Sequence, residues 1–353
     1  MSPTRHVRIH PSGKRIAVRA GESILDAALR AGLNLPHSCR GGSCMACRSR
    51  LLEGEVAYPA GRPLGLTAAD EAQGYALLCR AVPLGDAVVE TREIASAPDI
   101  RIRRLPCRVQ DMQQLSHDVM ALWLKLPSVE PFRYLAGQYV DILLADGRRR
   151  SFSIANPPGD GHLLEIHVRR VPGGEFTEFV FTALQPRSLL RLEGPLGGFF
   201  WRAPGGRESL LIAGGTGFAP LKAMLLQAFA ADDTRPMHVY WGARARRDLY
   251  ELALARSWAA KRPQLRFTPV LSEPAPGDAW TGGTGLVHSA VLDDYPSLAG
   301  CDVYMSGPPA MIEAGQREFP ARGLGPDRFF FDSFDFAPDV LARIGSASGN
   351  RGP

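Results

Sequence analysis

Four patterned cysteines constrain this chain more than any other feature of its sequence. Cys39, Cys44 and Cys47 follow a C-x4-C-x2-C spacing, and Cys79 follows after a long gap. A cluster of two irons needs four thiolates closing around it, and this spacing is typical of plant-type [2Fe–2S] binding. The pattern therefore predicts that Cys39, Cys44, Cys47 and Cys79 are metal ligands.

The residues between these cysteines support the same prediction. Gly41 and Gly42 favour a tight loop with positive φ, which turns backbone N–H groups toward the sulfur atoms. A structural zinc site is the alternative, but zinc sites usually combine C-x2-C with a second close pair, and here the fourth cysteine stands alone. Cys107 and Cys301 lie in predicted strands, where we expect small buried hydrophobic residues.

Length and composition limit the class of protein. The 353 residues suggest two or three domains, and 45% apolar with 22% charged residues is ordinary globular composition. The net charge of +5 is mixed along the chain, so no segment is typical of nucleic-acid binding. No apolar run reaches the ~18 residues of a membrane span, and the amino terminus lacks a signal core. We expect a cytoplasmic protein without disulfides and without a membrane or nucleic-acid partner.

The order of predicted elements divides the chain into three parts. Residues 5–19 alternate as a hairpin, residues 23–31 form a helix capped by Ser23, and residues 87–93 form a returning strand, which makes a small α+β unit. A linker is predicted at 94–104, with an arginine cluster at 101–104 that resists packing.

The rest of the chain has two further patterns. Strands with Gly and Pro turns dominate up to about residue 202, with one helix at 177–184, which predicts a closed antiparallel barrel. From residue 209, strands and helices alternate, which predicts a parallel sheet with helices on both faces. The predicted domains are 1–95, 104–204 and 207–336, followed by a flexible tail at 337–353.

A flavin site is predicted in the barrel. An isoalloxazine needs an aromatic face, hydrogen bonds near its N5 edge and a cation near the diphosphate. A Gly-Gly turn that opens a helix makes an anion site for a diphosphate, which favours FAD over FMN. On its own, the strand at 150–153 could equally be an ordinary polar strand, and the turn at 173–174 could equally be an ordinary turn. The residues assigned to this site are Arg150, Ser151, Phe152, Ser153, His167, Val168, Arg169, Gly173, Gly174 and Thr177.

A nucleotide site is predicted in the third part. Gly214-Gly215-Thr216-Gly217 follows a strand and opens a helix, and Pro220 occupies the third glycine position of the G-x-G-x-x-G motif, so the turn is not that motif. A second turn, Ser306-Gly307-Pro308, follows the strand predicted at 302–305. Both turns resemble nucleotide turns of the ferredoxin–NADP⁺ reductase superfamily, and this resemblance implies that the nucleotide is bound by Gly215, Thr216, Gly217, Pro220, Arg244, Ser306, Gly307 and Pro308.

Together and in this order, the motifs resemble the ferredoxin–NADP⁺ reductase superfamily with an amino-terminal plant-type ferredoxin domain, over roughly residues 5 to 336. Within that superfamily, the chain resembles the group named for CDP-6-deoxy-glucoseen reductase and the reductase components of bacterial oxygenases. Two positions depart from the family pattern: Phe152 replaces a Tyr and Ser306 replaces a Cys. The resemblance implies a β-grasp ferredoxin domain, an antiparallel flavin-binding β-barrel and a parallel-sheet nucleotide-binding domain, a multidomain α+β and α/β fold.

The resemblance also implies a function. NAD(P)H would reduce FAD, and electrons would pass singly through the cluster to a terminal oxygenase or a similar acceptor protein. Ser153 is expected nearest flavin N5, Ser306 beside the nicotinamide and Phe334 against the flavin, without a dedicated acid–base pair. We expect NADH to be the preferred donor, with some NADPH activity because Arg246 and Arg247 follow the second strand, and we expect a monomer.

Three alternatives stay open at this point. The acceptor could be a deoxysugar dehydrase, or the chain could be a stand-alone diaphorase or flavin reductase. A zinc-bearing nucleotide-binding protein without a redox role is the third. His117 and His288 lie in stretches that look like surface, and the sequence alone places no carboxylate beside them or beside His167.

Overall fold

The computed structural model describes residues 4–94, 100–159, 162–203, 205–335 and 340. The chain forms two compact units. One contains Met1–Ile102 and the short segment Pro195–Gly198, and the other contains Arg103–Gly194 and Phe199–Pro353. Residues 95–99 of the predicted linker lie outside the described residues, as does the predicted tail apart from Val340.

The first unit is a mixed sheet with a helix packed on it. The sheet has the order β2-β1-β7-β3-β5; β1 and β7 run parallel, and the other neighbours run antiparallel. β4 and β6 form a separate antiparallel pair. The elements are β1 Arg5–His10, β2 Arg15–Val18, α1 Ile24–Arg30, β3 Arg48–Glu53, β4 Val56–Ala57, α2 Ala68–Ala72, β5 Tyr75–Leu77, β6 Val82–Pro83 and β7 Ala87–Glu90.

Local sequence explains this unit well. Val7 and Ile9 alternate with polar residues along β1 and are fully buried, as a strand with one covered face requires. Ser23 Oγ accepts a hydrogen bond from Asp26 N at 3.1 Å and caps α1, and Gly32 takes a φ of 78° just beyond its end. The predicted hairpin and helix are both confirmed.

The second unit begins with a barrel. Its strand order is β11-β10-β13-β8-β9-β12, the pairings of β8, β9 and β11 are antiparallel, and a bridge between Ile154 and Ile166 joins the two ends. The predicted closed barrel is therefore confirmed. The elements are β8 Arg103–Gln114, β9 Val119–Lys125, β10 Tyr139–Leu143, β11 Arg149–Ser153, β12 Leu163–Arg169, α3 Glu175–Thr182 and β13 Leu189–Leu196.

Two predicted boundaries in this region are wrong. Arg103 and Arg104 were expected to resist packing, but they begin β8, because Arg103 pairs with Glu130 at 2.7 Å and both residues pair with β13. The helix predicted at 177–184 begins two residues earlier, at Glu175, because Gly174 occupies its amino-terminal cap.

The same unit continues with a parallel sheet of order β17-β16-β15-β14-β18-β19, in which all neighbouring strands are parallel. The chain leaves β14 in one direction and later returns to its other side, so the strand order reverses between β14 and β18. The elements are β14 Glu208–Gly214, α4 Phe218–Ala230, β15 Met237–Ala243, α5 Leu252–Lys261, β16 Leu265–Leu271, β17 Gly283–Thr284, α6 Val287–Asp294, β18 Cys301–Gly307, α7 Pro309–Glu318 and β19 Phe329–Ser333.

Successive residues of β14 enter different cores. Leu211 packs with Leu221 of α4 on one face, and Leu210 packs with Val291 of α6 on the other. Helices therefore cover both faces, as predicted for an alternating βα pattern. Among the described residues, no helix has both the length and the apolar character needed to cross a membrane.

Candidate functional site

The four predicted metal ligands come together in the first unit. The thiols of Cys39 and Cys44 contact each other, and so do those of Cys47 and Cys79. Cys44, Cys47 and Cys79 are buried, and Cys39 is partly exposed. Two adjoining pairs of thiols are the donor set that a cluster of two irons requires.

Backbone groups of the cluster loop, residues 39–47, turn toward the sulfur atoms. Gly41 N donates to Cys39 Sγ at 3.3 Å, and Cys39 N donates to Cys44 Sγ at 3.4 Å. Gly42 has the predicted positive φ of 90°. The prediction for Gly41 is wrong: Arg40 makes the left-handed turn instead, with a φ of 53°.

The electrostatics of the thiols also fit a metal cluster. Contact with Cys44 lowers the pKa of the Cys39 thiol to about 4, whereas contact with Cys39 and burial raise the pKa of Cys44. Contact with Cys47 and burial likewise raise the pKa of Cys79. Four thiolates in so small a buried space repel one another, so they need bound cations between them, and iron supplies that charge.

A second loop covers the cluster loop. Gly65 N donates to Gly42 O at 2.9 Å, and a Cβ added at Gly65 would lie 2.4 Å from Ser43 O. A Cβ at Gly42 would lie 2.8 Å from Pro63 Cβ. The two backbones therefore approach so closely that only glycine fits at position 65. No local pattern in the sequence indicates this requirement.

The predicted flavin strand is β11, and it connects two parts of the barrel. Ser151 Oγ donates to Asp141 Oδ1 at 2.6 Å on β10. The ring of Phe152 lies 5.6 Å from that of Phe176 in α3, so the strand contacts the helix that the Gly-Gly turn opens. Arg150 donates through Nη1 to the carbonyl of residue 149 at 2.8 Å.

The Gly-Gly turn has the conformation expected of an anion site. Gly173 has a φ of 75°, and Thr177 Oγ1 donates to Gly174 O at 3.0 Å and accepts from Val171 N at 3.0 Å. α3 begins directly after the turn, so its unpaired N–H groups lie there. Val168 is fully buried among the barrel core residues, which leaves only its backbone for contact with a cofactor.

The two predicted nucleotide turns pack on each other at the carboxyl ends of β14 and β18, which we call the nucleotide crevice. A Cβ at Gly217 would lie 1.9 Å from Ser306 O, and one at Gly214 would lie 2.6 Å from Pro308 Cδ. Gly215–Gly217 forms a short 3₁₀ turn, and Pro220 lies in the first turn of α4. Ligands of open parallel sheets bind at such a reversal of strand order.

The predicted catalytic residues meet in this crevice. Ser306 is fully buried, its Oγ has no hydrogen-bond partner among the described residues, and it pairs with Asp332 of β19. Ser153 Oγ donates to Asp332 Oδ2 at 3.4 Å, and Phe334 N donates to Gly307 O at 2.8 Å. A buried hydroxyl without a protein partner costs free energy, so a bound polar ring fits here.

Asp332 is a functional candidate that the sequence does not mark. It lies within Phe329-Phe330-Phe331-Asp332-Ser333, and only its acidity in an otherwise apolar strand could have signalled a role. It is 5% exposed, and its hydroxyl partner comes from the barrel.

Arg169 connects the flavin barrel with the nucleotide turn. Its Nη1 would lie 2.7 Å from a Cβ at Gly215, so the guanidinium occupies the space beside that glycine. Nε lies 3.1 Å from Asp118 Oδ2 without hydrogen-bond alignment, and Nε and Nη2 are buried without an acceptor in the described part of the chain. Guanidinium donors without an acceptor beside the Gly215 turn fit the diphosphate of a bound nucleotide.

Arginines also follow β15, where the adenosine ribose of a dinucleotide is expected. Arg244 O accepts from Glu273 N at 2.9 Å. Arg246 Nη1 donates to Asp278 O at 2.9 Å, and Arg247 is largely exposed. Asp248 Oδ2 accepts from Ala245 N at 3.0 Å, so this carboxylate caps the turn.

The histidines have carboxylates beside them that the sequence alone does not place. His167 Nε2 lies 2.9 Å from Glu165 Oε1. His117 Nε2 lies 3.8 Å from Asp248 Oδ1, and His288 Nε2 lies 3.7 Å from Glu318 Oε2. The surface position predicted for His288 is wrong: it is 7% exposed, because α6 turns this side chain toward the end of α7.

Three family models match successive parts of the chain. They are described as 2Fe-2S iron-sulfur cluster binding domain over residues 7–84, oxidoreductase FAD-binding domain over 106–201 and oxidoreductase NAD-binding domain over 211–317. The matches follow the predicted order. They bear out the [2Fe–2S], FAD and NAD cofactors, and they overturn the zinc alternative.

Whole proteins with the same arrangement are similar to this chain. The CDP-6-deoxy-L-threo-D-glycero-4-hexulose-3-dehydrase reductase of Yersinia pestis is 38% identical over 93% of this chain and 98% of its own length. The reductase subunit of an aromatic O-demethylase from an Amycolatopsis species is 36% identical over 91% and 96%. The crystal structure of an Amycolatopsis cytochrome P450 reductase covers 94% of this chain and 99% of its own, with a TM-score of 0.79 and 35% identity.

These findings define the class of protein. The fold and the two sites are those of an iron–sulfur flavoprotein oxidoreductase that takes electrons from NAD(P)H. The chain belongs to the family of ferredoxin–NAD(P) reductase-like proteins with an amino-terminal [2Fe–2S] domain, the family of the Yersinia dehydrase reductase and the Amycolatopsis O-demethylase reductase subunit.

Proposed function

We propose that this chain is the NADH-dependent reductase component of an oxygenase, and that it delivers electrons singly through its [2Fe–2S] cluster. The observation that carries the proposal is the presence, in one chain, of paired cysteine thiols and of a crevice where Ser153, Ser306 and Asp332 meet. The overall reaction is NADH plus two oxidised acceptors giving NAD⁺, a proton and two reduced acceptors.

A bound FAD would supply the chemistry that links a two-electron donor, NADH, to a one-electron carrier. The chain's own residues hold and orient these groups. The turn at Gly173 and the guanidinium of Arg169 would hold phosphate, and the Ser153 hydroxyl, held by Asp332, would be presented to the flavin edge. Ser306 would line the nicotinamide position in a space that excludes water.

The choice of NADH rests on the residues after β15. A 2′-phosphate needs cations, but Arg246 Nη1 donates to the backbone carbonyl of Asp278 at 2.9 Å and Arg247 Nε lies 4.0 Å from Asp248 Oδ1, so each guanidinium already has a partner. Asp248 Oδ2 caps the turn at Ala245, so the choice of NADH does not rest on this carboxylate as an acceptor for the ribose. Values of kcat/KM for both donors test this choice, and a clear preference for NADPH would overturn it.

A double variant sharpens the donor test. Arg246→Ala with Arg247→Ala should lower kcat/KM for NADPH more than for NADH, by roughly tenfold, since only NADPH has a phosphate to lose. Equal losses for both donors would place these arginines outside the 2′ position.

The acceptor is proposed to be an oxygenase because several relatives are named for such systems, among them the aromatic O-demethylase reductase subunit. A dehydrase of a CDP-linked deoxysugar is the second candidate, favoured by the Yersinia relative. Coupled assays with the purified acceptor of each relative distinguish the two. Saturable NADH consumption with the dehydrase alone would overturn the oxygenase assignment.

A stand-alone diaphorase makes a different prediction. Such an enzyme would reduce ferricyanide and cytochrome c at the same rates whether or not its cluster is present. Cluster-dependent cytochrome c reduction is therefore expected here. We also propose the divisions 1–95, 104–204 and 207–336 as domains, a monomeric state and a cytoplasmic location, where a reducing environment keeps cluster thiolates available.

A further inference from the structure

A group of buried charged and polar side chains lies beside the flavin strand and the nucleotide turns, and it includes His167 of the predicted flavin site. Glu165 and His167 belong to β12 of the barrel, Lys222 belongs to α4, and Tyr250 and Glu251 directly precede α5. Glu165, His167 and Lys222 are each less than a tenth exposed. We call these five residues the ion-pair clamp.

Lys222 is at the centre of the clamp. Its Nζ donates to Glu165 Oε1 at 2.9 Å and to Glu251 Oε1 at 2.7 Å. His167 Nε2 lies 2.9 Å from the same oxygen of Glu165, and His167 Nδ1 lies 3.0 Å from Tyr250 Oη. Both ring nitrogens of His167 are satisfied if Nε2 donates to the carboxylate and Tyr250 donates to Nδ1, whereas Glu251 Oε2 has no partner among the described residues.

The charges are mutually stabilised. Burial by itself raises the pKa of Glu165, but contact with His167 and the charge of Lys222 lower it to about 2. Burial lowers the pKa of Lys222, and the two carboxylates overcome this and raise it. Glu165 and Lys222 are therefore both charged at neutral pH.

The clamp touches the flavin strand on one side. Glu165 O accepts from Ala155 N at 2.7 Å, and Glu165 N donates to Asn156 Oδ1 at 2.8 Å. Residues 155 and 156 directly follow β11 and Ile154, so the backbone of Glu165 holds the segment that continues from Ser153.

The clamp touches the nucleotide turn on the other side. The ring of Tyr250 packs edge-on against Trp241 with centroids 5.2 Å apart, and Trp241 Nε1 donates to Gly215 O at 2.9 Å. Lys222 lies on α4, which the same turn opens, two residues after Pro220. A continuous set of contacts thus joins Ser153 to the Gly215 turn through buried groups.

Burying charged groups between two surfaces costs free energy because the charges lose their hydration. Apolar residues of similar volume often give equal or better stability, whereas ion pairs with fixed hydrogen bonds impose one relative position. Flavin reduction depends on such a position, because a shift of about 1 Å in the reacting groups can cost roughly 100-fold in rate.

We propose that the ion-pair clamp fixes the position of the flavin strand relative to the nucleotide turn, which makes Lys222 a positioning residue for flavin reduction by NAD(P)H. Lys222 itself touches neither predicted cofactor site. The proposal rests on the NAD(P)H oxidoreductase activity of the family and not on the identity of the acceptor.

The main test compares Lys222→Met with Lys261→Met in the holoenzyme. Lys261 is exposed at the end of α5 and serves as the matched control. Stopped-flow reduction of the flavin at saturating NADH should slow by roughly 10- to 100-fold in Lys222→Met and should not change in Lys261→Met. The Kd for NAD⁺, measured by calorimetry, should change less than about threefold, since the phosphate-binding groups remain.

A second readout does not depend on activity. Hydrogen–deuterium exchange should accelerate in residues 153–168 and 214–225 of Lys222→Met, and should not change in the sheet of the first unit. An unchanged flavin reduction rate, or a rate loss without faster exchange in both segments, would overturn the proposal.

A variant that removes all the ion pairs of the clamp distinguishes a positioning role from the destabilising effect of one unpaired buried charge. The variant Glu165→Gln, Lys222→Met, Glu251→Gln leaves no buried ion unpaired within the clamp. We expect a melting temperature and flavin content close to those of the wild type, together with slower flavin reduction. Wild-type reduction in this variant would mean that packing alone sets the position, and would overturn the proposal.

Tyr250→Phe tests the same proposal if the variants that remove charged groups do not fold. It removes one hydrogen bond to His167 and keeps the ring against Trp241. A loss of about two- to fivefold in flavin reduction is expected, with faster exchange in residues 153–168. Wild-type values for both measurements would by themselves contradict a positioning role.

Discussion

The cluster loop and the nucleotide crevice are assembled in opposite ways. Three of the four cluster ligands come from nine consecutive residues, and local turns at Arg40 and Gly42 orient the loop. The crevice takes Ser153, Gly217, Ser306 and Asp332 from four separate strands or turns. A site of the first kind depends on single side chains, whereas one of the second kind depends on how closely backbones approach.

Replacement of any one cluster ligand should have the largest effect. Cys39→Ser, Cys44→Ser, Cys47→Ser and Cys79→Ser should each abolish the [2Fe–2S] absorbance, because a thiolate cannot be replaced by a hydroxyl in this donor set. Cytochrome c reduction should fall by at least about tenfold, while ferricyanide reduction persists because the other unit has its own core. Full cluster absorbance in all four variants would show that the ligand assignment is wrong.

The crevice should be most sensitive at a glycine. In Gly217→Ala the new Cβ would meet Ser306 O at 1.9 Å, so the two nucleotide turns must separate. Roughly 100-fold slower flavin reduction by NADH is expected, with the cluster absorbance retained. Gly300→Ala is the control, since a Cβ there meets nothing within 4 Å. Equal rates in the two variants would contradict the close approach.

Gly65→Ala tests whether the cluster loop also depends on close backbone packing. Its Cβ would lie 2.4 Å from Ser43 O, and overpacking of this kind typically costs about 1–3 kcal/mol. We expect partial loss of iron, measured per polypeptide, and a lower melting temperature of the first unit. Gly85→Ala, which has open space around it, should behave as the wild type. If Gly65→Ala keeps its full iron content, iron binding depends on the cysteines and not on the close packing at Gly65.

The two remaining cysteines should matter least. Cys107 and Cys301 are buried, and burial raises their pKa to about 12 and about 11, so they stay protonated and unreactive at neutral pH. Cys107→Ala should keep the cluster and both reductase activities and lose only about 1 kcal/mol in the free energy of unfolding, measured with urea. Loss of iron from Cys107→Ala would contradict the prediction that only the four patterned cysteines hold the cluster.

The sequence predicted much of the fold because the patterns are local. Alternation along β1 and the Ser23 cap of α1 reflect nearest-neighbour chemistry, and both elements form where the sequence predicts them. The error at Arg103 and Arg104 has the opposite origin. Their charge argued against a strand, but pairing with β13 and the ion pair with Glu130 outweigh that preference.

The sequence by itself specified the spacing of the four cysteines and the order of the three cofactor-binding parts, because spacing within a loop and glycine beside a helix start are short-range requirements. Only the tertiary structure brought Asp332 to Ser153, set Gly65 against Ser43 and placed Lys222 between Glu165 and Glu251. These contacts join residues 22 to 179 positions apart. No local preference specifies them, since they arise from strand order and from the burial of groups that must find partners.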